Sequence, residues 1–295
     1  MKSIRVYDLA TGKFFEEKVY GGIWIQLLYR FAFLRRLLLP ILTRREFSRF
    51  FGYFQGTSWS RFRIRSFVRR YRIRVDEFEP GPYQSFNDFF ARSFKKDARL
   101  FVDEMNFPAP AEARYFALDS VKRTDSITIK GELLSLESLL LHPKWCEVFD
   151  EGPMLIARLC PVDYHRFHFP DSGRFEEFYR LHGAFNSVNP WAIAAVPKVL
   201  STNERTVSIL ETEHFGRVAY VEVGAMMVGK IIQTHVLDQR FGRGSEKGYF
   251  HFGASTVILI GEKGRWKPDE TLLKNTSDGI ETYVKLGQRV GYGQV

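Results

Sequence analysis

The stretch Glu246–Ile260, EKGYFHFGASTVILI, places four small residues, Gly253, Ala254, Ser255 and Thr256, inside a run of bulky apolar side chains. The segment that follows, Val257-Ile258-Leu259-Ile260, is aliphatic and rich in β-branched residues, and it predicts a strand. Small residues at the head of a strand most simply make a bend or bulge. A hydroxyl in such a turn is also a candidate nucleophile. The stretch is not a nucleophile elbow, because Gly-x-Ser-x-Gly is missing and a strand, not a helix, follows.

Outward from this point, the chain from about Asn106 alternates short β-branched and aromatic runs with turns. SITIKG, MLIARLC, RTVSIL, RVAYVEVG, MVGKIIQT and STVILIG are the examples. This predicts a β-rich body with few helices. SLESLLL, Ser135–Leu141, predicts a helix capped by Ser135. FGRGSEKG, Phe241–Gly248, reads as a turn, since no strand-to-helix pattern surrounds it.

The first 80 residues differ in character. Arg30–Arg74 carries 13 arginines and one acidic residue, Glu46, against a net charge of +9 for the whole chain. The basic character therefore belongs to one surface. Ile23–Leu42, IWIQLLYRFAFLRRLLLPIL, is long enough to span a bilayer. Arg30, Arg35 and Arg36 would each cost ~2.5–3.5 kcal/mol at its centre, and Pro40 adds a break. Lying in the interface suits it better, with Trp24 and the other aromatics buried and Arg30, Arg35 and Arg36 at anionic headgroups. Ser60–Val75, SRFRIRSFVRRYRIRV, interleaves arginine with aromatics. That pattern suits an anionic lipid surface, stacked nucleic acid, or a half-buried helix with a basic outer face; no nucleic-acid motif supports the second. EFEPGPYQSF, Glu77–Phe86, reads as a boundary. Beyond it, Ser85 predicts a helix cap, with Asp88 at capping-box spacing and Phe89 and Phe90 facing inward.

With 295 residues and 45% hydrophobic content, the chain can form one or two domains with a packed core. The fold class expected is α+β: a helical, basic, membrane-associated region over 1–80, then a β-rich domain over 81–295. Cys146 and Cys160 sit in apolar surroundings and show no metal or disulfide spacing, which points to a reducing compartment. The N-terminus lacks the pattern of a secretory signal.

Three places carry chemistry. PVDYHRFHFP, Pro161–Pro170, groups Asp163, His165 and His168. Two histidines three apart are too few for a metal, and general acid–base work fits them better. PAPAEARYF, Pro108–Phe116, holds Glu112, which alone reads as a solvated carboxylate. The third is Ser255 in its bend.

Taken together, these stretches resemble the phosphatidylserine decarboxylases, pyruvoyl-dependent enzymes made as self-cleaving proenzymes. SFNDFFARSFKKDARL, IKGELLSLESLL, ARLCPVDYHRFHFP, FNSVNP, FGRVAYVEVGAMMVGKIIQT and EKGYFHFGASTVILI carry the resemblance along nearly the whole chain. It is nearest to the subgroup with a Gly-Gly-Ser-Thr processing motif. The resemblance implies that Ser255 attacks the carbonyl of Ala254. The peptide becomes an ester, and β-elimination then leaves a dehydroalanine that hydrolyses to a pyruvoyl group. The products are a β chain, 1–254, and an α chain, 255–295. His168 is implied as the base for this step, oriented by Glu112, and His165 serves decarboxylation. Asp163, Gly253 and Thr256 support the site. The mature enzyme would bind phosphatidylserine through a Schiff base to the pyruvoyl group, with no metal, and release CO2 and phosphatidylethanolamine. It would sit as a peripheral protein on the cytoplasmic side of the cell membrane, its α and β chains together, with a homodimer left open and no nucleic acid.

Two departures from the family pattern stand out. Pro-Ala-Asp-Gly reads Pro110-Ala111-Glu112-Ala113, and Gly-Gly-Ser-Thr reads Gly253-Ala254-Ser255-Thr256. Glutamate is one methylene longer than aspartate, and a shift of roughly 1 Å in a catalytic unit can cost about 100-fold. Alanine at a position needing positive φ costs roughly 1–2 kcal/mol. The alternative is a lipid-binding protein on the same scaffold that no longer processes itself.

Overall fold

The Val257–Ile260 run lies near the middle of a nine-stranded sheet, and each of its four side chains is fully buried. The computed structural model describes residues 4–18, 22–124, 127–129, 132–196, 198–226, 230–253 and 255–294. The strands are β1 (Arg5–Asp8), β2 (Lys13–Glu16), β3 (Asn106–Pro108), β4 (Ala113–Val121), β5 (Ile127–Ile129), β6 (Glu132–Leu134), β7 (Gly152–Leu159), β8 (Arg166–His168), β9 (Gly173–Leu181), β10 (Arg205–Thr212), β11 (Arg217–Val223), β12 (Ile231–Gln233), β13 (Glu246–Phe250), β14 (Ser255–Gly261), β15 (Trp266–Pro268), β16 (Glu281–Val284) and β17 (Arg289–Gly293). The helices are α1 (Gly22–Arg30), α2 (Ala32–Leu42), α3 (Arg45–Gly56), α4 (Phe62–Tyr71), α5 (Phe86–Phe90), α6 (Leu136–Leu140), α7 (Pro143–Val148), α8 (Pro190–Ala195), α9 (Val199–Thr202) and α10 (Glu270–Ser277).

The large sheet runs β2-β1-β16-β4-β7-β14-β11-β10-β9. Its pairings are antiparallel except β1 with β16. β14 is paired on both edges, by β7 and β11, and all seven of its residues are buried, so both faces are covered and its apolar run is unbroken. Two three-stranded sheets, β12-β13-β8 and β15-β17-β3, and the two-stranded β5-β6 sheet complete the body. One core joins them through Phe107, Phe167, Phe169, Tyr220 and Trp266.

The α+β class is what the structure has, with a large sheet and several helices. The helical N-terminal region needs a correction at its start. Arg5–Glu16 is a hairpin, and β1 pairs with β16 near the far end of the chain. Helices occupy 22–71. The apolar segment Ile23–Leu42 is broken at Phe31, between α1 and α2, while Pro40 is accommodated near the end of α2. Among the described residues, no helix is long and apolar enough to cross a membrane.

Local capping follows the expected chemistry. Ser135 accepts from the Ser138 amide at the head of α6. Ser85 accepts from the Asp88 amide at the head of α5, and the Asp88 carboxylate reaches back to the Gln84 amide at 2.8 Å. A five-residue helix has little stability of its own, so α5 depends on burying Phe86, Phe89 and Phe90. These rings form a second cluster with Phe67 of α4 and with Phe252, and Phe51 of α3 packs against it. The N-terminal helices therefore rest directly on the segment that enters β14.

Candidate active site

Ser255 is the first residue of β14 and is fully buried. It lies opposite Leu159, the last residue of β7. Past Leu159 the chain turns back over Ser255. In that turn the Asp163 amide donates to the Cys160 carbonyl at 2.9 Å, and the Asp163 carboxylate accepts from the Cys160 amide at 2.7 Å. The turn delivers His165 to the serine, with Ser255 Oγ 3.4 Å from His165 Nδ1.

The other ring nitrogen fixes the tautomer. His165 Nε2 lies 2.8 Å from the Cys160 carbonyl, which can only accept. Nε2 therefore carries the hydrogen, and Nδ1 turns its lone pair toward Ser255. Phe90 stacks on the imidazole with 3.9 Å between ring centroids, and Phe252 packs against Phe90. Burial penalises the charged ring and takes its pKa down to about 3. At neutral pH it is a neutral acceptor.

His168 lies elsewhere. Its Nδ1 donates to the Gly244 carbonyl at 2.9 Å, and Tyr164 donates its hydroxyl to Nε2 at 3.0 Å. Its backbone amide donates to the Pro110 carbonyl at 2.8 Å, tying β8 to the Pro110–Glu112 loop. Burial lowers its pKa as well. Glu112 is buried and contacts neither imidazole through a hydrogen bond. It accepts from Arg99 at 2.7 Å and from the Tyr283 hydroxyl at 2.8 Å. The structure thus brings Ser255 together with His165, and holds His168 and Glu112 in separate contacts of their own.

The flanking positions are also informative. Gly253 has φ of 146°, a conformation that side chains rarely adopt. Ala254 lies outside the described residues. Ala113 starts β4 and is not among the residues with positive φ, so the family's glycine is not demanded there. Thr256 is buried between Arg158 and Val223 in the sheet register.

The chain matches the family model described as phosphatidylserine decarboxylase over residues 86–292. It is 38% identical over 291 residues to the phosphatidylserine decarboxylase proenzyme of Ruminiclostridium cellulolyticum, covering 98% of this chain and 97% of that one. The chain belongs to the phosphatidylserine decarboxylase family. The proenzyme of Clostridium tetani is 37% identical, with 98% of each chain covered, and that of Chlamydia pneumoniae 38% identical over 100% and 99%.

Within this family member, the structure adds residues that no motif flagged. Behind the Cys160 turn lies a buried charge network. Arg114 pairs with Asp163 and lies 2.7 Å from Glu17. Arg158 donates to Glu17 at 2.8 Å and, through two nitrogens, to Glu281 at 2.7 and 2.8 Å. Burial alone would raise the Glu17 pKa, but the two guanidiniums outweigh it and hold the carboxyl at about 2. Arg114 in ARYF and Arg158 in ARLC, single arginines among apolar residues, were the only local trace of this network. Nothing near Glu17 in sequence pointed to it. Among the described residues, no group of three or more His, Cys, Asp or Glu is placed to hold a metal ion.

Proposed function

We propose that the chain is a phosphatidylserine decarboxylase that generates its own pyruvoyl group by self-cleavage between Ala254 and Ser255. The observation that carries this reading is the buried contact between Ser255 Oγ and a neutral imidazole nitrogen of His165 at 3.4 Å. Relatives named proenzymes support it.

In the chemistry proposed, His165 Nδ1 takes the Ser255 hydroxyl proton, and the oxygen attacks the Ala254 carbonyl carbon. The peptide C–N bond breaks as the ester C–O bond forms, and the proton passes to the freed Ser255 amine. His165 Nδ1 then takes the Ser255 Cα proton, the Cα–Cβ double bond forms, and the Cβ–O bond breaks to expel the Ala254 carboxylate. Tautomerisation and hydrolysis release ammonia and leave a pyruvoyl group at the head of residues 255–295. The residues present fit that group, since a hydroxyl and a neutral imidazole meet at Ser255 and both side chains are fully buried. The ketone supplies an electron sink for loss of CO2 from the serine headgroup. His165 stays beside that position, where Nδ1 relays a proton to the substrate carbon as CO2 leaves. β14 hydrogen-bonds to β7 and β11, which keeps the two chains together after cutting.

Supporting roles follow from contacts. Asp163 holds the Cys160 turn. Glu112, clamped by Arg99 and Tyr283, fixes the loop that bonds His168. The lipid substrate calls for a membrane surface, and the N-terminal helices offer one. Phe33, Leu37, Ile41, Phe50, Tyr53, Trp59 and Phe62 are exposed there, interspersed with exposed Arg30, Arg36 and Arg49. Arg35 is half-buried, and the side chain of Trp24 lies outside the described residues. Interfacial docking on the cytoplasmic side, without spanning, suits this surface.

A second reading gives proton removal to His168 and reserves His165 for decarboxylation. It is supported by the weak basicity of His165, held at about 3. It requires His168 to leave Tyr164 and Gly244.

The intact mass of the purified full-length protein tests the function. Two fragments split at Ala254–Ser255, the smaller without a free N-terminal amine, are expected. Ser255→Ala should stay whole and release no CO2 from phosphatidylserine. An uncut wild-type chain after long incubation would sink the proposal and leave the lipid-binding alternative. Cutting lost in His165→Ala and kept in His168→Ala is the expected pattern; the reverse moves the base to His168.

A further inference from the structure

A second concentration of charge lies outside the Ser255 site. Arg45, Ser48 and Arg49 of α3 line a cavity of about 270 Å³, whose other walls include Arg180 of β9, Glu204 and Lys230. Four cations face one carboxylate. Glu204 lies 3.9 Å from Arg45 and 3.8 Å from His182. Among the described residues, no carboxylate lies within ion-pair distance of Arg49, Arg180 or Lys230. The cavity therefore keeps an uncompensated positive charge.

Ser48 supplies an independent sign. It is 1% exposed, and its hydroxyl meets no partner among the described residues. A buried hydroxyl without a partner costs about 1–3 kcal/mol. Here that hydroxyl lies in the wall of a basic cavity. A group rich in acceptor oxygens would satisfy both the hydroxyl and the guanidiniums, and arginine pairs well with phosphate. The space is several times the ~30 Å³ share of one water, so a phosphate group fits with its immediate substituents.

We propose that this cavity binds the phosphate of a phospholipid headgroup, separately from the reacting serine. The lipid source follows from what surrounds it. The same helix exposes Phe50, Tyr53 and Phe54, so a headgroup held by Arg45 and Arg49 has apolar side chains nearby for its acyl chains. The cavity also adjoins the approach to β14. The Lys230 carbonyl accepts from the His251 amide at 3.1 Å, and Phe51 of α3 lies 5.9 Å from Phe252, ring to ring. An occupied cavity clamps α3 against the segment that leads into Ser255. The inference rests on the membrane part of the proposed function and not on self-cleavage.

Phosphatidylglycerol tests it, because that lipid is anionic and lacks the amine the decarboxylation reading requires. The full-length protein is titrated with phosphatidylcholine vesicles with and without phosphatidylglycerol, and intact mass on the same samples reports processing separately. Arg49→Ala/Arg180→Ala should weaken binding to the anionic vesicles by about tenfold or more, the scale of one lost charge-assisted hydrogen bond. Arg69→Ala/Arg70→Ala on α4 removes equal charge outside the cavity and should cost clearly less. Glu204→Gln, which removes the one carboxylate, should tighten binding, and it serves if the arginine pair folds poorly. Equal losses in both arginine pairs, or weaker binding by Glu204→Gln, would overturn the site in favour of a diffuse field. Inorganic phosphate is titrated without vesicles. If it binds through Arg49 and Arg180 while their loss leaves vesicle affinity unchanged, the cavity takes free phosphate and the lipid assignment fails.

Discussion

Ala113 stands where the family pattern has glycine, yet its backbone is extended and its side chain fully buried at the start of β4. Restoring glycine should therefore destabilise. Glycine loses more backbone entropy in a strand, roughly 0.5–1 kcal/mol, and the missing methyl adds about 0.8 kcal/mol. Ala113→Gly should lower unfolding free energy by about 1–2 kcal/mol in urea titrations of the Ser255→Ala chain; an unchanged midpoint would refute this. His165 gives a pH prediction. Its folded pKa is depressed to about 3, against an ordinary value of about 6.5. Between these values the unfolded chain binds a proton that the folded chain refuses. Stability contributed by the neutral ring is thus complete above about pH 6.5 and drains as pH falls toward 3, at up to about 1.4 kcal/mol per pH unit. His165→Gln should flatten the fall in stability between pH 6.5 and 5, and an unchanged slope would show that the ring is not the group responsible. The two histidines of DYHRFHFP also show what a motif leaves open. Residues three apart in extended chain face opposite sides, so no spacing argument decides which ring meets Ser255. The Cys160–Asp163 turn before β8 settles the geometry, and it depends on Arg114 and Glu17 from distant segments.

The hairpin β1–β2 is the element whose role was least visible. Its strands are short, and their pairing partner β16 comes from the opposite end of the chain. Just past β2, Glu17 enters the network beneath the Cys160–Asp163 turn, between Arg114 and Arg158. Local pattern registers periodicity and caps, which is why α5, α6, β7, β11 and β14 were legible. It does not register a carboxylate that becomes buried only when three distant strands assemble. Breaking a buried pair by removing one partner typically costs about 3–5 kcal/mol, because the remaining charge is stranded. Glu17→Gln should destabilise by roughly that amount in denaturant titrations. The Glu17 carboxyl has a folded pKa of about 2, below the ordinary value near 4.3. The stabilisation it gives is present above about pH 4.3 and is lost as pH falls toward 2. The variant should therefore lose less stability than wild type across that window. Processing should slow too, since the Arg114–Asp163 pair that shapes the His165 turn loses its third member. A Glu17→Gln chain as stable as wild type would mean that Arg114 and Arg158 are satisfied by Asp163 and Glu281 alone.

At the scale of the whole molecule, the chain combines the buried Ser255–His165 contact with an exposed apolar and basic surface, joined through Phe51, Phe67 and Phe252. The basic, aromatic composition of the N-terminal third was plain in the sequence; its division into α1 to α4 was not, because the break at Phe31 carries neither proline nor glycine. Large exposed apolar patches mark interaction sites. Trp59 is 79% exposed and Phe50 73%, while Trp145 and Trp266 are buried in the body. If this surface enters the bilayer interface, Trp59 moves from water to a less polar medium, and its emission should shift to shorter wavelength when anionic vesicles are added. Phe50→Ala/Trp59→Ala should weaken vesicle partitioning by at least about tenfold, since burying one such side chain is worth roughly 1.5–3 kcal/mol. Folding stability should hardly change, because neither ring contributes to a core. High salt should weaken binding of the wild type and of this double variant in the same proportion, since both keep every arginine. A variant that partitions like wild type would place the membrane contact elsewhere, on a surface that uses neither α3 nor the turn before α4.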